Sequence, residues 1–210
     1  MTQDKKIHAP KQKRSELTRK KILDTALELF CKNGYHKTST NEIANCTNIS
    51  IGNLYFYFPN KETIFFEILD RYHQSFLHIH ENFLSEMENS NGNLRDFLRK
   101  LMEGIIKNHE DSRALNREIQ ILSFSNPKVA DILEKQQEHI EKAVLQYFEE
   151  YRNKIKVQDI EAAASIVFSL INSIVDQIAF SKNRIDRERL LAETVNAVEA
   201  YLLGKSKEET

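Results

Sequence analysis

Residues 38–62 read TSTNEIANCTNISIGNLYFYFPNKE, and the spacing of polar and apolar residues in them predicts a series of short helices. Ser39 precedes Glu42 by three residues, which is the spacing of a capping box in which the serine hydroxyl accepts a hydrogen bond from the glutamate amide. A short helix is therefore predicted to begin here. Asn48 is predicted to end it in a tight turn, because asparagine tolerates a positive φ better than other residues with a side chain.

A second short helix is predicted directly after this turn. Ser50 is suited to cap a helix over residues 51–57, and Pro59 interrupts the chain after it. Asn60 is then predicted to cap a long helix that starts at Lys61. Two short helices joined by a tight turn and braced by a longer one form a helix-turn-helix, whose second helix enters the major groove of DNA.

The composition of the second short helix favours an exposed face. Leu54 and Phe58 lie four residues apart and are predicted to face the core. Tyr55 and Tyr57 then face away from it, with hydroxyls suited to phosphates or base edges. Gly52 would let the backbone approach the groove closely. The alternative is a structural hairpin whose tyrosines only cover the edge of a core.

Charge favours the DNA interpretation. Residues 1–62 contain eleven Lys or Arg and six Asp or Glu, for a net charge of +5, whereas the rest of the chain carries −6. A small basic segment joined to a larger acidic one is typical of a protein whose basic part binds a polyanion and whose acidic part has a regulatory role. Residues 1–62 are called the head below, and the rest of the chain is called the body. A solvated basic tail would give the same charge count. The first thirteen residues are predicted to form a basic arm.

The whole composition predicts an all-α protein. The 210 residues include only five Gly and three Pro, which suits long helices joined by short connectors. Cys31 and Cys46 are expected to be small, reduced core residues. No apolar leader and no uncharged apolar stretch of eighteen residues are found, so we expect no signal peptide, no membrane span and a cytoplasmic location.

Residues 38–62 resemble the N-terminal domain of TetR/AcrR-type transcriptional regulators. The resemblance rests on Ile43-Ala44, on Ile49-Ser50-x-Gly52-x-Leu54-Tyr55-x-Tyr57-Phe58 and on Asn60-Lys61-Glu62. Two departures are mild: Thr47-Asn48-Ile49 stands where Ala-Gly-Val is usual, and Tyr57 stands where His is usual. The resemblance implies a DNA-binding domain over residues 1–60 and an effector-binding and dimerisation domain over 61–210.

The same resemblance implies the residues that contact DNA. In that family the position of Thr40 contacts phosphate, that of Asn41 reaches a base, and those of Tyr57 and Lys61 hold phosphates. Lys61 also lies at a helix N-terminus, whose dipole attracts anions. The full implied set is Thr40, Asn41, Ser50, Ile51, Gly52, Asn53, Tyr55, Tyr57 and Lys61.

The body of the chain is predicted to be a helical bundle, with helices near 61–88, 94–109, 112–125, 127–153, 158–181 and 187–203. The last two carry wide apolar stripes that need partners on more than one side. The resemblance implies that they pair with a second subunit, with Ile171, Ile174 and Val198 expected at the interface. A purely intramolecular core is the alternative.

A ligand pocket is expected in this body. Four polar residues on apolar faces are the candidates: His73, Gln120, Asn172 and Asp176. Each needs a buried partner, which is either a bound molecule or a residue of a second subunit. His73 and His80 invite a metal interpretation, but their surroundings lack ligand spacing, so neither a metal nor a cofactor is predicted. No catalytic motif is found.

The sequence therefore predicts a homodimeric transcriptional regulator, expected to be a repressor, that binds a palindromic operator in double-stranded DNA. An unknown small-molecule effector is expected to release it. The alternative is a helical adaptor whose basic head binds an acidic protein or membrane partner. The two differ in one measurable respect, because only the regulator depends on DNA sequence.

Overall fold

The computed structural model describes residues 8–89 and 93–204, with side chains for 13–79 and 93–204. These residues form nine α-helices and one 3-10 helix without any strand, which confirms the predicted all-α fold. Most lysines of the predicted N-terminal arm lie outside the described side chains. The elements are α1 His8–Asn33, α2 Thr40–Thr47, α3 Ile51–Tyr57, α4 Lys61–Asn89, α5 Leu94–Asp111, α6 Arg113–Ser125, α7 Pro127–Glu150, the 3-10 helix Arg152–Lys154, α8 Ile160–Phe180 and α9 Arg187–Leu203.

Capping side chains set most helix starts in the body. Asn126 accepts from the Lys128 amide at 3.0 Å, with Pro127 in the first helical position, and Asp159 accepts from the Ala162 amide at 3.0 Å. Such caps satisfy amides that have no partner inside the helix. The predicted boundaries are accordingly close, except that α7 ends at Glu150 rather than near 153.

The chain divides into two compact units. The first contains the residues up to Tyr72 together with Ala114–Ser125, and the second contains His73–Arg113 and the residues from Asn126 onward. The first unit thus includes the start of α4 and nearly all of α6. The domain division at 60/61 stays a prediction.

The core of the first unit is built from the inward faces of α1 to α4. Leu54 is fully buried and Phe58 nearly so, as their four-residue spacing predicts. Burying each such side chain contributes about 1.5–3 kcal/mol. The prediction that both cysteines are core residues is wrong for Cys46, which is exposed, whereas Cys31 is half-buried. Cys46 faces outward because Ile43, Ala44 and Thr47 occupy the inward face of α2.

In the second unit α8 is the central helix, packed against α5, α7 and α9. This packing corrects the expected interface residues. Ile171 and Val198 are buried within their own subunit and Ile174 is half-buried. The apolar residues of α8 that stay exposed are instead Ile166, Leu170 and Phe180.

By length and composition alone, α8 could cross a membrane, and it is the one helix of the described segments that could. Its mean hydropathy is 1.6 over the apolar window, of which 39% is buried. A core helix of a protein that spans no membrane can have the same length and composition, so this finding does not contradict the prediction of no membrane span. Packing accounts for part of this apolar surface, since α8 buries one face against three neighbouring helices.

Candidate nucleic-acid interface

The two short helices are each capped by a serine and are joined by a residue with a positive φ. The Ser39 hydroxyl accepts from the Glu42 amide at 3.1 Å, and the Ser50 hydroxyl accepts from the Asn53 amide at 3.2 Å. Asn48 lies between the helices at φ 59°, as the tight turn was predicted to require. The capping box is only half formed, because the Glu42 carboxylate accepts from the Asn33 amide group at 3.0 Å instead of reaching back to Ser39.

Helix α3 presents a continuous exposed surface on the side opposite Leu54. Tyr55 is 48% exposed, and Tyr57 is half-buried. Of the other residues implied as DNA contacts, Thr40 is half-buried, and the following are exposed: Asn41, Ser50, Ile51, Gly52 and Asn53. The surface therefore offers amide, hydroxyl and apolar groups together, which is the mixture that reads base edges and phosphates.

Gly52 has no structural reason to be a glycine. A Cβ added there would meet no atom of the described chain within 4 Å, and its φ is not in the left-handed region. Glycine in a helix costs about 0.5–1 kcal/mol relative to alanine. This cost is explained if the bare backbone lets another molecule approach α3 closely.

The hydroxyls of Thr40 and Tyr55 join α2 to α3. Their oxygens lie 3.0 Å apart, and either one can donate the proton. Both groups can also bond to a phosphate oxygen, since a hydroxyl donates one proton and accepts through two lone pairs. The pair thus places two hydrogen-bonding groups at one point of the exposed surface.

Lys61 is bound to the protein itself. Its Nζ donates to the carbonyl oxygens of Tyr35 and Thr38, each at 2.7 Å, and lies 4.3 Å from the centre of the Tyr35 ring. Burial of the ammonium lowers the pKa of Lys61 below its usual range. Lys61 therefore fixes the turn between α1 and α2, and its contact with a phosphate stays a prediction.

Phe56 is a surface residue that sequence reasoning missed. It is 79% exposed on α3 and packs edge-on against the Tyr57 ring, with ring centres 5.3 Å apart. The signal was available, because four consecutive aromatic residues on a short helix cannot all face the core. An exposed ring on this surface offers apolar contact, for example to a thymine methyl group.

The four predicted effector residues are divided between the two units. Gln120 belongs to the first unit and is exposed, so its interpretation as a buried polar residue is wrong. His73 and Asn172 are half-buried in the second unit, whereas Asp176 is exposed there, so its interpretation as a buried polar residue is wrong as well. Among the described side chains, no three potential ligands gather around a metal position, and the side chain of His80 is not described.

Asp176 meets a histidine that sequence reasoning did not place with it. Its Oδ1 lies 3.7 Å from His109 Nε2, and the His109 ring packs between Phe76 and Phe180, with ring centres 5.0 Å from each. Burial lowers the pKa of His109 to about 4. Burial also raises the pKa of Asp176, although the side chain keeps considerable solvent exposure. His109 is therefore neutral at physiological pH.

The second unit is expected to lose stability in acid because of His109. With a folded pKa of about 4 and an unfolded pKa of 6.5, its stabilising contribution is complete above pH 6.5 and is lost as the pH falls toward 4. The loss is roughly 1–3 kcal/mol. The free energy of unfolding, determined with urea at pH 7.5 and at pH 5, measures this loss.

The variant His109→Gln is expected to reduce the change in the free energy of unfolding between pH 7.5 and pH 5. His139→Gln, at an exposed position on α7, should leave this change as it is in the wild type. Equal slopes in the wild type and in His109→Gln would contradict the assignment to His109.

Comparison with known proteins gives a consistent result. Residues 22–68 match the family of bacterial regulatory proteins named tetR, and residues 93–202 match a tetracyclin repressor-like C-terminal domain. The chain is 30% identical over 162 residues to the HTH-type transcriptional regulator UidR of Escherichia coli K12, a match that covers 72% of this chain and 76% of UidR.

Two further similarities differ in how much of the chain they cover. The HTH-type transcriptional regulator QacR of Staphylococcus aureus is 54% identical over 50 residues, which is 24% of this chain and only 27% of QacR. The crystal structure of a proposed TetR-family regulator from Mesorhizobium loti is 25% identical, with a TM-score of 0.72, over 90% of this chain and 96% of that one. The strong likeness in sequence to QacR is confined to 50 residues, whereas the likeness in fold covers nearly the whole chain.

Proposed function

The chain belongs to the TetR family of bacterial regulatory proteins, which are DNA-binding transcriptional regulators and not enzymes, and we propose that it represses transcription from a palindromic operator. The observation that carries the proposal is the exposed surface of α3. Gly52, in the first turn of α3, has no internal contact that requires a glycine, and the exposed residues that follow it include Asn53 and Tyr55. A cytoplasmic location is part of the same proposal, since the operator lies there in bacteria.

In the proposed complex α3 lies in the major groove, with its N-terminal residues toward the bases. Asn53 is suited to adenine through its paired donor and acceptor, and Ile51 offers apolar contact. Thr40, Tyr55 and Tyr57 are suited to phosphates, because a hydroxyl can donate a hydrogen bond to a phosphate oxygen.

We further propose that the protein acts as a homodimer through α8 and α9. Three large apolar residues of α8 remain exposed in the single chain at helical spacing, namely Ile166, Leu170 and Phe180. Tyr201 of α9 is also exposed. A second copy covering this surface would remove it from water and would supply the second head that a palindrome needs.

A small-molecule effector is proposed to bind the second unit, which contains most of the residues that match a tetracyclin repressor-like domain. His73, Asn172 and Asp176 remain candidates for its contacts. The effector must bind the non-repressing arrangement of the dimer more tightly than the repressing one, because only differential affinity shifts such an equilibrium.

Selection of bound sequences from random duplex DNA tests the operator proposal, and the expected product is a palindrome. In that operator, Asn53→Ala is expected to reduce discrimination at one base pair of each half-site by about 1–3 kcal/mol, because the bidentate contact is lost.

Asn45→Ala is the matched control, since Asn45 is an exposed asparagine on α2 outside the proposed contacts. It should keep the sequence preference of the wild type. Binding that is independent of sequence would contradict the operator proposal and favour the adaptor.

A further inference from the structure

The turn between α1 and α2 is stabilised by hydrogen bonds among its own residues. Gly34 lies at φ 88° and its amide donates to the Phe30 carbonyl at 2.9 Å, which ends α1. The Thr38 hydroxyl donates to the Gly34 carbonyl at 3.0 Å. Helix α2 begins directly after this turn, so the path of the turn sets where Thr40 lies.

Helix α6 contacts the same turn through one carboxylate. Glu118 Oε2 accepts from the Tyr35 amide at 2.8 Å, across 83 residues of sequence. The Glu118 oxygens also lie 3.6 and 3.8 Å from the position that a Cβ on Gly34 would take, which is ordinary van der Waals distance. The carboxylate therefore fits against the turn without strain.

The other side of Tyr35 is bound as well. Its carbonyl accepts from Lys61, and its ring packs against Phe30 and Phe65, with ring centres 5.2 and 5.1 Å away. The amide, the carbonyl and the ring of Tyr35 are therefore all engaged by other residues. Of these, only the amide contact depends on α6, which is covalently continuous with the second unit at both ends.

We propose that Glu118 is a positioning residue for DNA binding, which holds the Tyr35 amide and thereby fixes the turn that carries the N-terminus of α2. The inference rests on the proposed operator function. A hydrogen bond to a charged acceptor is stronger than one to a neutral acceptor, so one carboxylate suffices to fix a backbone turn.

The sign of the electrostatic effect makes this proposal testable. Removing a negative charge from a DNA-binding unit strengthens its attraction to phosphates. A variant that loses the Glu118 charge and nevertheless binds DNA more weakly has therefore lost positioning rather than charge. Glu118→Gln and Glu118→Met are nearly equal in length and both neutral, but only glutamine keeps an oxygen that can accept from the Tyr35 amide.

Affinity for the operator selected by the wild-type protein is the first measurement. Glu118→Met is expected to bind about tenfold more weakly, and Glu118→Gln to bind within about twofold of the wild type or more tightly. Asp70→Asn removes the same charge from an exposed position of the first unit and should behave like Glu118→Gln. Equal affinities for Glu118→Met and Glu118→Gln would overturn the proposal. Glu118→Ala repeats the loss of the acceptor if circular dichroism shows that Glu118→Met is unfolded.

Cys31 supplies a second measurement that needs no DNA. Burial, and then the negative charge of Glu118, raise the pKa of the Cys31 thiol. In a Cys46→Ser background, both Glu118 variants should therefore speed the alkylation of Cys31 by iodoacetamide by about twofold or more, because thiolate is the reactive form. Asp70→Asn should leave the rate unchanged.

The two measurements separate the possible failures. Unchanged alkylation in both Glu118 variants would refute the position of the carboxylate beside the turn. If the wild-type protein selects no sequence, the proposed function fails and the role in DNA binding fails with it, whereas the thiol measurement still reports the contact. Normal selection combined with equal affinities refutes only the role of Glu118.

Discussion

Replacing both Ile166 and Leu170 by aspartate is expected to give a folded monomer whose operator affinity is reduced about a hundredfold or more. Within the single chain these side chains are 52% and 36% exposed, so a charge at either position stays hydrated. In the proposed dimer the same charges would be buried without partners, at a cost of several kcal/mol each. Loss of the linked second head then removes the roughly 10²- to 10⁴-fold gain of bivalent binding.

Sedimentation at micromolar protein measures the oligomeric state, circular dichroism measures the folding, and titration with the operator measures the affinity. Val198→Asp is the contrasting variant, because Val198 is only 1% exposed within its own subunit and a charge there should unfold the second unit. A double aspartate variant of Ile166 and Leu170 that remains dimeric would show that the subunits meet elsewhere.

Gly52→Ala is expected to separate stability from DNA binding. Alanine is the better helix former by about 0.5–1 kcal/mol, and its Cβ meets no described atom within 4 Å, so the melting temperature should rise slightly or stay the same. Operator affinity should fall about tenfold or more, because the methyl group would lie between α3 and the groove. Thermal denaturation tests the predicted stability, and titration of the same preparation with the operator tests the predicted affinity.

Gly34→Ala is a control for the stability measurement alone, because this glycine has a positive φ that alanine adopts only with strain. Gly34 needs its φ of 88°, which costs an alanine about 1 kcal/mol or more, so this variant should lose stability. Undiminished operator affinity in Gly52→Ala would mean that α3 does not approach the bases closely.

Local features of the head could be predicted from the sequence because neighbouring residues encode them. The serine caps of α2 and α3, the positive φ of Asn48 and the inward pair of Leu54 and Phe58 all depend on spacings of two to five residues. Long-range contacts could not be predicted in this way. Nothing near Lys61 in sequence shows that its ammonium binds two carbonyls more than twenty residues away.

The same limit applies to the wide apolar stripe of α8. Helical periodicity shows that the stripe is too broad for one partner, but it does not show which edge packs against the rest of the subunit. The packing of α5, α7 and α9 decides this, burying Ile171 and leaving Ile166 exposed. The contact of Glu118 with Tyr35 is likewise a product of tertiary structure alone.

The hydroxyl pair of Thr40 and Tyr55 has a thermodynamic consequence. Only one of the two hydroxyl protons is used within the pair, so the other proton can bond to a phosphate in place of water without breaking the pair. The enthalpy gained at this point is therefore small, but so is the conformational entropy lost, because the pair already holds α2 and α3 together. Association of the head with DNA should consequently resemble the docking of a rigid body, with a modest negative heat-capacity change and without the larger one that accompanies folding on binding.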